Sequence, residues 1–122
     1  MKIRTPSGLY TYPDASIVCE APEFLDDRRE TLLNPGLIVE VLSPSTEAYD
    51  RGRKFDLYKS IKSLNEYLLI ATDRVHVDLC RRQLDGNWLL TAADSMEETI
   101  QLLSVGVTLS MTKLYESIEL AV

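Results

Sequence analysis

The chain has 122 residues, 45% hydrophobic and 26% charged, proportions that predict one globular domain, residues 1–122, rather than a disordered or fibrous chain. A formal net charge of −6 argues against the overall basic character behind strong non-specific nucleic-acid binding, while leaving room for a local basic patch. No apolar run approaches the ~18 residues of a membrane-crossing helix, and the opening MKIRTPSG lacks the form of a signal peptide.

Residues 9–19, LYTYPDASIVC, mix aromatic and β-branched residues with polar ones and predict a strand. Pro13 cannot donate to a ladder, so this strand is an edge or begins properly only after it. Residues 20–36 hold two prolines, a mixed charge run and Asn34-Pro35-Gly36, which predicts a connecting loop. The charges Asp26, Asp27, Arg28, Arg29 and Glu30 read as its solvated rim. LIVEVL, residues 37–42, is a second, buried strand ended by Ser43-Pro44-Ser45.

From Asp50 the period changes. Leu57, Ile61 and Leu64 lie close to one helical stripe, which predicts a helix near 51–62. Asp50 suits its N-cap, Glu47 also favours a helix N-terminus, and Gly52 is tolerated in a first turn. EYLLIATD, residues 66–73, predicts a buried strand, and VHVDLCRR with NWLLTA around Leu84-Asp85-Gly86 predicts an antiparallel hairpin. Residues 100–109 suggest one more short strand and 111–118 a short C-terminal helix. Strands around one central helix predict a mixed α/β (α+β) fold, not a doubly wound sheet, because crossovers are too few.

Cys19 and Cys80 lack a CxxC or CxH partner and read as free, partly buried thiols of a reducing cytoplasm. The one histidine, His76, has no cysteine or second histidine beside it, which argues against zinc. No nucleophile elbow accompanies it, which argues against a hydrolase triad.

Glu40 stands out as a carboxylate inside an apolar run, costly to bury unless a cation, a metal or donors compensate it. If the strands holding Asp14 and Glu40 pair, two carboxylates share one sheet and call for a counter-charge or a raised pKa. Hard oxygen ligands favour Mg²⁺, Mn²⁺ or Ca²⁺ over zinc. Lys54, four residues before Tyr58, falls on or beside the helix's apolar stripe. It could snorkel to solvent, pair with Glu40, or face a phosphate beside the metal.

YPDASIVC, PGLIVEVLSPSTEAYDRGRKFDLY and EYLLIATD together resemble the Uma2 family of restriction endonuclease-like proteins, within the PD-(D/E)XK nuclease superfamily. The resemblance runs from about Tyr10 to Glu119, and VEVLSPST followed by YDRG, one residue and Lys is its specific core. It implies a restriction endonuclease-like mixed sheet with a helix packed across it. Pro13-Asp14 matches the PD element and Glu40 the acidic position. The superfamily lysine would fall at Leu42, and Lys54 of the following helix is the matching substitute.

The activity so implied is Mg²⁺-dependent (Mn²⁺ possible) hydrolysis of DNA phosphodiester bonds, with Asp14 and Glu40 holding the metal and Lys54 orienting water or stabilising the transition state. Arg51, Arg53, Lys59 and Lys62 make the helix region locally basic, either as a phosphate-facing patch or as ordinary helix surface. Against the family pattern the chain looks N-terminally short, lacking a first helix and a strand. That supports the alternative of a catalytically inactive, truncated nuclease fold acting as an interaction or structural module. It also implies an uncovered apolar sheet face, closed by a homodimer.

Overall fold

A computed structural model describes residues 1–116 apart from 7, 9 and 12. In chain order its elements are β1 (Lys2–Arg4), β2 (Tyr10–Thr11), β3 (Ala15–Ile17), β4 (Thr31–Leu32), β5 (Leu37–Leu42), α1 (Glu47–Arg51) and α2 (Arg53–Tyr58). They continue with β6 (Glu66–Ala71), β7 (Val77–Arg82), β8 (Trp88–Ala93), β9 (Thr99–Leu102), β10 (Val107–Ser110) and α3 (Met111–Glu116). The main sheet has five strands in the order β3-β5-β6-β7-β8; β1, β2 and β4 form a second sheet, and β9 with β10 a hairpin. This is the expected mixed α+β architecture.

The apolar runs became the middle of the main sheet. All six residues of β6 are buried, as suits a strand covered on both faces, and β5 pairs with it in parallel through the α1–α2 crossover. The β7–β8 hairpin forms as expected, with Gly86 at φ +87° in its turn. On the helix face, Ile38, Leu42, Tyr67, Leu69 and Cys80 pack under Tyr58, Ile61 and Leu64. On the other face, Leu37, Leu68, Ile70, Val77 and Leu79 pack against Ile100, Leu102, Met111 and Tyr115.

Several elements differ from expectation. The strand over 9–19 is split around Pro13 into β2 and β3, which join different sheets. The connecting segment 20–36 contains β4, paired in parallel with β1, although Asp26 to Glu30 are exposed as a rim should be. One helix near 51–62 is instead two short ones, broken at Gly52 (φ −97°, ψ −93°), and residues 59–62 lie beyond them. Asp50 is not a cap: it is buried within α1, whose N-cap is Thr46.

Residues 100–109 fold as two strands, because Gly106 at φ +65° turns the chain back. The last helix begins at Met111 as expected, and the rest of the span expected to 118 lies outside the described residues. Both cysteines are free; Cys19 is exposed, whereas burial pushes the Cys80 thiol up to about 11, with Asp78 adding to the rise.

Candidate active site

The site is built on the β3–β5 ladder. Ala15 pairs with Val39 and Ser16 with Ile38, so the same antiparallel register carried one residue further sets Asp14 opposite Glu40. Asp14 sits in a bend just before β3, exposed, and its Oδ2 accepts the Val41 N–H at 2.6 Å. That bond fastens the carboxylate to β5 at the point where the ladder ends.

Glu40 has the opposite environment, only 3% exposed on the helix face of β5. What compensates it is now visible. Lys54 reaches from α2 with Nζ 2.8 Å from Oε1 of Glu40, and the Tyr58 hydroxyl donates to the same oxygen at 3.3 Å. Lys54 and Tyr58, four residues apart, present one face of α2 to Glu40. Tyr58 also shares a 2.6 Å hydrogen bond with Thr11.

Asp50 completes the cluster. It is 5% exposed, its Oδ1 lies 3.5 Å from Lys54 Nζ, and its backbone carbonyl accepts the Tyr67 hydroxyl at 3.0 Å. Burial raises the Glu40 pKa above the ordinary carboxylate range; Lys54 opposes that shift, and the charges of Asp50 and Asp14 add to it. Burial works to lower the Lys54 pKa, but the hydrogen bond and charge of Glu40, with Asp50, more than offset it, and the ammonium is held protonated. Burial above all raises the Tyr58 hydroxyl, keeping it a donor.

The sequence singles out Asp14, Glu40 and Lys54, but not Asp50, which meets Lys54, or Tyr58, which meets Glu40. Asp50 carried a usable signal, an acid four residues before a lysine. Leu42 is 1% exposed and packed in the core, so the ammonium arrives from α2 rather than from β5.

The basic residues are dispersed rather than gathered. Arg51 donates from Nη1 to Asp78 and places Nε 3.5 Å from Glu47. Asp78 is 5% exposed and also meets His76 Nε2 at 3.1 Å. Lys59 lies 4.4 Å over the Phe55 ring and 3.5 Å from Asp56, while Arg53 and Lys62 are exposed. Among the described residues no three His, Cys, Asp or Glu side chains gather as a complete metal cage. A cation at Asp14 and Glu40 would therefore draw its other ligands from water or substrate, as Mg²⁺ commonly does.

The fold is that of a solved nuclease-like protein: the crystal structure described as a "putative nuclease belonging to DUF820" from Anabaena variabilis superposes with a TM-score of 0.72 at 19% identity, covering 94% of this chain and 64% of that one. Residues 1–112 match the profile of Uma2, described as "Putative restriction endonuclease", and the chain belongs to that family. It is 40% identical over 111 residues to the uncharacterized protein slr1290 of Synechocystis, covering 89% of this chain and 56% of that protein. It is 42% identical over 85 residues to the uncharacterized protein sll1609 of the same organism, covering 70% and 48% respectively. The chain thus spans about half the length of these curated relatives.

Proposed function

We propose that the protein is a metal-dependent endonuclease hydrolysing phosphodiester bonds in DNA. The observation that carries this reading is the convergence of Asp14, Glu40 and the Lys54 ammonium, two acids and an amine from three segments, at one edge of the main sheet. The donor chemistry fits a hard divalent ion, Mg²⁺ with Mn²⁺ as a substitute. Two carboxylates, Glu40 and Asp50, share the single Lys54 ammonium, and the charge of Asp14 acts on Glu40 as well, leaving negative charge to be offset.

Asp14 and Glu40 would hold the ion. The chemistry such an ion supplies when bound is the activation of a water and neutralisation of phosphate charge. The chain's own contribution is orientation and fixed charge. Val41 holds one oxygen of Asp14 in place, while Tyr58 holds Glu40 and Asp50 holds Lys54. Lys54 brings a permanent positive charge to where a phosphate would gain negative charge in the transition state. Arg53, exposed at the start of α2, is available to contact the DNA backbone. The two free thiols suit a reducing compartment such as the cytoplasm.

The test is Mg²⁺-dependent nicking of supercoiled plasmid by the wild type and by Asp14→Ala, Glu40→Ala and Lys54→Ala. Nicking by the wild type alone is expected; equal nicking by all four would remove the site. A second reading, an inactive nuclease fold serving as an interaction or structural module, is supported by the Lys54–Glu40 contact at 2.8 Å, which compensates Glu40 without any metal. It predicts no heat of Mg²⁺ or Mn²⁺ binding, and a loss of stability in Glu40→Gln, which leaves the Lys54 ammonium without its nearest partner.

A further inference from the structure

The two edges of the main sheet are finished differently. β3 is three residues long and follows Pro13, both devices that keep an edge from recruiting another strand. β8, WLLTAA, runs for six residues with no charge, proline or glycine, and among the described residues β7 is its one neighbour in the sheet. Leu89 and Leu90 are 48% and 60% exposed, and Thr91 and Ala92 are exposed beside them. None of the usual protections of a free edge is present on β8.

The ladder parity fixes which backbone groups face outward. The Gln83 N–H donates to the Asn87 carbonyl, so Gln83–Asn87 is a hydrogen-bonded pair, and by alternation so are Arg81–Leu89 and Leu79–Thr91. The β6–β7 ladder agrees, since Ala71 N–H donates to His76 and Arg82 N–H to Asn65, leaving the intervening β7 residues for β8. The N–H and C=O groups of Trp88, Leu90 and Ala92 therefore point away from β7, in a strand whose middle is open to solvent.

We propose that a second copy of this chain occupies that edge, β8 against β8 in antiparallel pairing about a two-fold axis at Leu90. This register sets Leu90 opposite Leu90 and Trp88 opposite Ala92, matching every outward donor with an outward acceptor. An isologous interface requires such self-complementarity. The chemistry at the edge also suits a second copy: chains of net charge −6 repel one another, and β8 brings no charged side chain of its own into a β8–β8 ladder. On the helix face the two Leu90 side chains meet beside a groove of about 350 Å³ lined by Arg51, Phe55, Lys59, Leu69, Cys80 and Trp88. Strand pairing with a few flanking leucines buries less than the ~1,200 Å² of a standard interface, so the dimer forms in the micromolar range. The inference stands apart from the nuclease reading.

Sedimentation from low to high micromolar concentration, with amide exchange read by NMR, tests it. The Leu90 N–H faces outward, so Leu90→Pro deletes a donor between copies without touching the β7–β8 ladder. Leu90→Lys sets like charges face to face and serves if the proline variant folds poorly. Leu84→Lys, at the exposed hairpin tip, is the control. The expected result is a wild-type dimer, retained in Leu84→Lys and weakened at least ~10-fold in the folded Leu90 variants. The amides of Trp88, Leu90 and Ala92 should exchange more slowly as concentration rises. A monomer throughout the range would overturn the proposal. So would a dimer that survives the Leu90 substitutions, or one that forms without slowing those three amides, since another surface or a strand from elsewhere would then be the partner.

Discussion

Lys54 lies between Glu40 and Asp50, 2.8 Å from one carboxylate and 3.5 Å from the other, with its side chain only 13% exposed. One ammonium thus holds two buried acids. Lys54→Met should cost about 3–5 kcal/mol at neutral pH, the usual penalty for stranding buried charge. The sign with pH follows from Glu40, whose pKa is already raised by burial and rises further without its cation. A raised carboxyl gives stability that is present below its unfolded pKa and lost as pH rises through its folded one. The deficit of Lys54→Met against wild type should therefore be largest at pH 7–8 and shrink toward pH 5, as urea midpoints at the two pH values will report.

Asp14 should separate stability from ligand binding. It is exposed, and its bond to the Val41 N–H is a local one. Asp14→Ala should lower stability by about 1 kcal/mol, the worth of one hydrogen bond. Its affinity for Mg²⁺ by calorimetry should fall more than tenfold. An unchanged affinity would mean that the acid plays no part in cation binding.

Glu66 predicts a purely structural loss. It is 1% exposed at the head of β6, where it meets Arg81 Nε at 3.1 Å, the Ser104 N–H at 2.7 Å, the Leu103 N–H at 3.3 Å and the Ser104 hydroxyl. It ties the turn between β9 and β10 to the main sheet. Glu66→Gln leaves Arg81 without its charge partner and should cost about 2–4 kcal/mol in chemical denaturation, with nicking little changed in the molecules that stay folded.

Gly36 predicts a coupled pair. A methyl group there would overlap Cys19 Sγ and lie 3.2 Å from its Cβ. Gly36→Ala should cost about 1–3 kcal/mol, the range for overpacking. Cys19→Ala should recover a good part of that cost, and a double-mutant cycle by thermal melting will measure the coupling.

These residues also mark what the sequence made legible. LIVEVL and EYLLIA announce β5 and β6 because strands covered on both faces are nearly continuous apolar runs. Leu84-Asp85-Gly86 announces the hairpin because a left-handed turn demands a residue such as Gly86. β1, β2 and β4, two or three residues each, left no period to read, since their pairing depends on partners distant in the chain. Gly52 was visible, but its role was not. Where the glycine was expected to sit harmlessly in a first turn, the chain breaks, with its amide closing on the Ala48 carbonyl. Asp50 was misread for the same reason, because its partner Lys54 lies past that break. Glu66 was not singled out at all: it leads its apolar run, and the partners that compensate it lie in a turn some forty residues away.

The β3–β5 ladder has a consequence for how the molecule opens. β3 contributes three residue pairs to the main sheet, whereas β5 and β6 share six. The thin seam should part in fluctuations that leave the rest of the fold intact. Asp14 stands at its end, so the two acids come apart before the domain unfolds. Warming should therefore abolish cation binding below the global melting temperature, and a bound ion should act as a rivet across that seam.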